Sequence, residues 1–141
     1  MNYITFVKES LLISIRNILK AIQNNPNHEQ IMLYISFDKQ FPGVKCPNNI
    51  SNDNILTIII QHQYWNLRVY DDGFFITLMF DNNPEEIYIP FKSIIIFADP
   101  TKEFILDFQN TFSEELLEYD EYELSQEDRI DNVISVNFTE D

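Results

Sequence analysis

A chain of 141 residues with 23 acids against nine Lys and Arg, and a formal charge of −14, is poorly suited to grip the phosphate backbone of a nucleic acid. Its single cysteine excludes an intrachain disulfide, and its two glycines argue against loops that cradle a nucleotide phosphate with bare backbone. The length suits one domain, and twelve Phe and seven Tyr supply the means to bury a core.

Residues 3–24 carry Ile4, Val7, Leu11, Leu12, Ile15, Ile18, Leu19 and Ile22 at three- and four-residue steps, the period of an amphipathic helix. Glu9, Arg16 and Lys20 fall on the other side. Phe6 and Ile13 lie beside the charged face and offer a second apolar surface. Asn24-Asn25-Pro26 ends the helix, because proline cannot continue it and restricts the residue before it. Charges interrupt every apolar stretch well short of the roughly 20 residues that span a bilayer. No membrane partner is expected, and the expected location is cytoplasmic.

The period then changes to two. Strands are expected at 31–37, 55–61, 65–70, 74–80, 86–91, 93–98 and 104–109. Asp71-Asp72-Gly73 reads as a hairpin turn in which glycine takes up positive φ. Asp81-Asn82-Asn83-Pro84 reads as a second turn. Pro90, which lacks an N–H, should mark an edge or a bulge. The fold class is therefore mainly β (α+β): an N-terminal amphipathic helix, then a small two-sheet antiparallel sandwich or open barrel over residues 1–112.

Residues 113–141 differ in kind. They hold eleven acids and one base, −10 of the total charge. Ser113 to Leu117 suits a short helical turn. Beyond it, too little apolar area is available to offset ordering entropy, so a disordered, self-repelling acidic tail is expected. Near its end lies one apolar patch, Val133-Ile134-Ser135-Val136-Asn137-Phe138.

Little here suggests covalent chemistry. His28 and His62 have no metal-ligand spacing, Cys46 has no second thiol, and no nucleophile elbow, phosphate loop or dinucleotide fingerprint occurs. No enzyme, metal or cofactor is expected. The most unusual segment of the body is Gln61-His62-Gln63-Tyr64-Trp65-Asn66-Leu67. If extended, it places Gln61, Gln63 and Trp65 on one face and His62 and Tyr64 on the other. Glutamine both donates and accepts, which suits a peptide backbone, and Tyr and Trp are frequent binding anchors. A strand with aromatics in the core and amides in water accounts for the same pattern. So would a small Sm-like or OB-like module stacking RNA bases on Tyr64 and Trp65, although the acidic balance opposes it.

Several strings together resemble the stringent starvation protein B family in its alphaproteobacterial form. They are Tyr34 to Asp38, Pro42-Gly43-Val44, Leu56 to Leu67 with its Gln-His-Gln-Tyr-Trp run, Pro84-Glu85, Ile89-Pro90-Phe91, Phe97-Ala98-Asp99-Pro100 and Phe104. The resemblance implies an adaptor for the ClpXP protease. Such an adaptor is a homodimer whose body binds the ssrA tag of stalled chains in a groove and whose tail docks on the ClpX unfoldase. Carried over by position, the resemblance implies tag binding by Gln61, His62, Gln63, Tyr64, Trp65, Met79, Phe80 and Asp81. It implies a dimer contact at Leu11, Ile15 and Ile18, and ClpX docking by Val133, Ile134, Val136 and Phe138. Family tails commonly finish with basic residues, whereas this sequence finishes Thr139-Glu140-Asp141. Either the docking contact is purely apolar or the natural chain is longer.

Overall fold

A computed structural model describes residues 1–25 and 31–108. Helix α1 spans Tyr3–Asn24. The side chain of Asn2 caps it, accepting from the backbone N–H of Ile4 at 3.1 Å and of Thr5 at 3.4 Å, which satisfies donors that have no partner inside the helix. At the other end Asn25 N–H returns to Ile22 O.

Seven strands follow: β1 (Leu33–Asp38), β2 (Ile55–Ile60), β3 (Tyr64–Val69), β4 (Gly73–Phe80), β5 (Asn83–Pro90), β6 (Ile94–Asp99) and β7 (Phe104–Asp107). They form two antiparallel sheets, one in the order β2-β1-β6-β7 and one in the order β3-β4-β5. Helix plus two antiparallel sheets is the architecture expected from the alternation of periods.

Two turns differ from their sequence reading. Between β4 and β5 only Asp81 and Asn82 form the turn, with φ of 51° and 65°, and Asn83 and Pro84 already belong to β5. A two-residue hairpin with both φ positive matches strand twist, and Pro84 is tolerated because β5 is an edge strand. Pro90 closes that same edge strand, as its missing donor requires. Gly73 is not at positive φ; it is glycine because a Cβ there would lie 2.5 Å from Ile89 O and 2.6 Å from the Tyr88 hydroxyl.

The inner face of the four-stranded sheet carries Leu33, Ile35, Phe37, Ile58, Ile60, Phe97 and Leu106, all nearly or fully buried. Facing it are Phe74, Ile76, Leu78, Ile87 and Ile89 of the three-stranded sheet. Ile15, Leu19 and Ile22 of α1 join the same core. The second layer is thus a sheet and a helix side by side. Gln23 of α1 joins them by accepting the edge N–H of Val69 at 2.9 Å, and Arg16 reaches Asp71 at 3.8 Å. Each of these fully enclosed side chains stabilises the fold by about 1.5–3 kcal/mol.

Candidate functional site

The β2–β3 connection carries the chain from one sheet to the other. Gln61, His62 and Gln63 are bends rather than strand, so the extended reading of 61–65 does not hold there. At this corner a cleft of about 390 Å³ opens between the sheets, lined by Ile58, Ile59, Gln61, His62, Gln63, Leu78, Met79 and Phe80. Its wall is apolar and its rim is amide and imidazole. No hydrogen bond among the described residues takes up the side chains of Gln61, His62 or Gln63, so their donors and acceptors face a ligand or water.

Of the eight residues carried over for tag binding, the structure brings five to this cleft: Gln61, His62, Gln63, Met79 and Phe80. Three lie elsewhere. Tyr64 pairs with Leu78 and packs against the core. Trp65 pairs with Thr77 on the outer face of the three-stranded sheet and is 47 % exposed. Asp81 lies in the hairpin turn. The cause at Trp65 is a bulge. Asn66 sits at φ 54°, and three steps of β3 (Trp65 to Arg68) match two of β4 (Thr77 to Phe75). The extra residue turns Leu67 inward while Trp65 stays outward, where an unbulged strand would keep the two on one face.

The sequence reading missed Ile58, Ile59 and Leu78. The run Ile55 to Ile60 looks buried on both faces, yet β2 is an edge strand, and Ile55 and Ile59 stand 45 % and 47 % exposed while Ile58 and Ile60 are enclosed. Ile59 is the apolar end of a row that crosses the outer face of its sheet through Tyr34, Ala98 and Ile105.

Beyond the cleft, the outer face of the three-stranded sheet holds an ordered aromatic and cationic cluster. Arg68 stacks over Phe75 at 4.6 Å and pairs with Glu86, and Tyr88 lies 4.7 Å from Phe75. Burial, with Asp72 nearby, pushes the Tyr88 phenol above its ordinary pKa. Burial also raises the Cys46 thiol; Lys39 opposes this and Glu85 adds to it. A raised thiol is a poor nucleophile at neutral pH, consistent with a packing role.

The dimer candidates divide. Ile15 is 0 % exposed in the single chain and is a core residue, so it cannot meet a second copy in this arrangement. Leu11 and Ile18 are partly buried. Phe6 and Ile13 are 57 % and 47 % exposed, the second apolar surface of the helix. The docking candidates Val133, Ile134, Val136 and Phe138, like His28, lie outside the described residues. Among the described residues no group of His, Cys, Asp and Glu could hold a metal ion, and no helix is long and apolar enough to cross a membrane.

A two-layer β body with an unpaired amide rim over an apolar wall has the features of a binding module. The family model of stringent starvation protein B matches residues 6–137, and the chain belongs to that family. The match continues past β7 through most of the acidic tail. No curated protein matches the chain. The family is one of protease adaptors in general rather than of enzymes, which agrees with a cleft that offers contacts.

Proposed function

We propose that this chain is a cytoplasmic adaptor that holds ssrA-tagged polypeptides in the cleft at the β2–β3 connection and delivers them to ClpXP. The observation that carries this reading is the pairing of free Gln61 and Gln63 amides with the apolar wall of Ile58, Ile59, Met79 and Phe80. An extended peptide exposes one donor and one acceptor per residue, which glutamine matches in both senses. The wall takes alternate apolar side chains, and Met79 adapts to their shape.

The C-terminal patch, Val133, Ile134, Val136 and Phe138, docks on ClpX. The tail acts by raising local concentration. A coil of about 20 residues has an r.m.s. reach of roughly 22–27 Å, extended further by repulsion among its acids. Tethering over that range raises local tag concentration to about the millimolar level. A second copy meets α1 through Phe6 and Ile13 and adds a second tail, hence avidity.

Calorimetry with an ssrA-tag peptide tests the cleft, and saturable binding with one site per protomer is expected. No heat and no saturation at large peptide excess would overturn the reading. Deleting residues 131–141 should leave tag binding intact and abolish accelerated degradation by ClpXP; persistence of that acceleration would remove the patch as the dock.

A further inference from the structure

The molecule has a second hollow besides the β2–β3 cleft, and the two differ in which residues line them. A groove of about 520 Å³ between α1 and the four-stranded sheet takes Leu33, Phe97, Asp99, Phe104 and Leu106 from that sheet. Phe97 and Asp99 are two apart on β6, as Phe104 and Leu106 are on β7, so the groove lies on one face. The β2–β3 cleft takes consecutive residues instead: Ile58 and Ile59 from β2, and Leu78, Met79 and Phe80 from β4. Successive side chains of a strand point to opposite faces. A hollow that touches both therefore lies against the edge of the strand, where the main chain stands.

Hydrogen bonding fixes which main-chain groups occupy that edge. Lys39 N–H donates to Asn54 O at 2.8 Å, and these two residues stand opposite each other next to the pair Asp38 and Ile55. Bonded and non-bonded pairs alternate along an antiparallel ladder. Stepping from Lys39 and Asn54, Ile58 and Ile60 bond to β1, while Ile55, Thr57 and Ile59 turn N–H and C=O away from it. The Ser36 and Thr57 hydroxyls meet at 2.7 Å, which fits a non-bonded pair with its closer side chains. β2 is the edge of its sheet, so the outward groups of Thr57 and Ile59 have no strand to meet.

Met79 is placed by the same alternation. The two-residue turn makes Phe80 and Asn83 a bonded pair. Met79 and Pro84 are then non-bonded, where the missing N–H of proline costs nothing. Met79 N–H and C=O thus point to the β3 side. Tyr70 N–H donates to Gly73 O at 2.8 Å on that side, as the alternation through 73, 75, 77 and 79 requires. The β3–β4 ladder ends at Tyr64 and Leu78, one residue short of Met79, and Gln63 is already a bend. Among the described residues no main-chain hydrogen bond engages Gln61, His62 or Gln63. Two unpaired strand edges, Ile59 and Met79, therefore border one cleft.

We propose that the polypeptide held in this cleft is bound as an added β-strand on the β2 edge, exchanging main-chain hydrogen bonds with Ile59 and Thr57, with the Met79 edge on its far side. This rests on the cleft being the peptide site and states how that site reads its ligand. The ligand class is a stretch of extended chain with free N–H groups. Main-chain pairing gives affinity, alternate side chains meet the wall, and proline is refused where an N–H is needed.

Two measurements on the full chain test it. In hydrogen exchange, the Thr57 and Ile59 amides should exchange near free-chain rates without peptide and at least about tenfold slower with saturating tag peptide. Ile58 and Ile60 should be protected throughout. In calorimetry, N-methylation of the tag peptide one amide at a time should weaken binding about tenfold or more at two or more positions two residues apart. Three results would each overturn the proposal and leave the tag reading standing: an Ile59 amide that stays fast in the saturated complex, binding that no N-methylation weakens beyond about threefold, or an Ile59 amide protected without peptide, whether inside the monomer or by a second copy and lost on dilution. Failure of the unmodified peptide to bind would overturn both.

Discussion

The cleft at the β2–β3 connection and the groove under α1 are of similar size, about 390 and 520 Å³, and opposite in character. The cleft has Gln61, His62 and Gln63 along its rim with no hydrogen-bond partners among the described residues. The groove has one buried carboxylate, Asp99, already matched by Lys102 and Thr101. Spare donors and acceptors at a rim suit a ligand that comes and goes, because water satisfies them in its absence. An apolar trough with its charges settled has no such groups to spare, and wetting it forfeits about 25 cal/mol for each Å² of apolar surface. The two sites differ in how their residues should respond to substitution.

The largest effect belongs to the helix side. Leu19 is 0 % exposed, and Leu19→Ala should cost about 2–5 kcal/mol in urea unfolding. Tag-peptide affinity, measured where the variant is still folded, should stay within about twofold. A loss under about 1 kcal/mol would mean that α1 does not share the core. At the cleft the pattern reverses. Gln61→Ala and Met79→Ala should each weaken tag-peptide binding about tenfold, close to the value of one hydrogen bond or one well-packed side chain. The exposed Met79→Ala should move stability by no more than about 0.5 kcal/mol. Equal losses of stability and binding at Met79 would merge the two sites into one structural unit.

Trp65→Ala sharpens the position of the cleft. Because Trp65 stands on the outer face of its sheet, fluorescence anisotropy should show only a two- to threefold loss of affinity, under about 0.7 kcal/mol. A loss beyond about tenfold would place the peptide across the outer face. The smallest effect concerns Cys46, which lines neither site. Its raised pKa means less thiolate at pH 7–8 than an ordinary cysteine, so alkylation should be slower than that of a free thiol. The rate should climb about tenfold per pH unit until the thiol pKa is reached. Saturating tag peptide should leave that rate unchanged, and strong protection would extend the occupied surface to the loop that carries Cys46.

α1 and all seven strands were legible from signals local to the chain: steps of three and four from Ile4 to Ile22, and short β-branched or aromatic runs bounded by turn residues for the strands, as in β2, β4 and β6. The amide-rich segment was legible as a candidate because Gln61 to Trp65 is unusual in composition. Its conformation was not. A single residue in the left-handed region, Asn66, reverses which side chains of β3 face inward, and no local pattern announces it. Gly73 was read as a turn glycine on the strength of its neighbours, yet the need for glycine comes from Ile89 and Tyr88, fifteen or more residues away.

Local periodicity and composition are properties of neighbours along the chain, and they suffice for the kind of each element, for the helix-then-sheets class and for the family strings. Which strand becomes an edge, whether Ile15 meets the core or a partner, and which of Ile58, Ile59, Leu78 and Met79 come together at one corner are matters of contacts between distant segments. Those are settled by how two sheets and a helix share one core, and that packing balance is not written in any single stretch of residues.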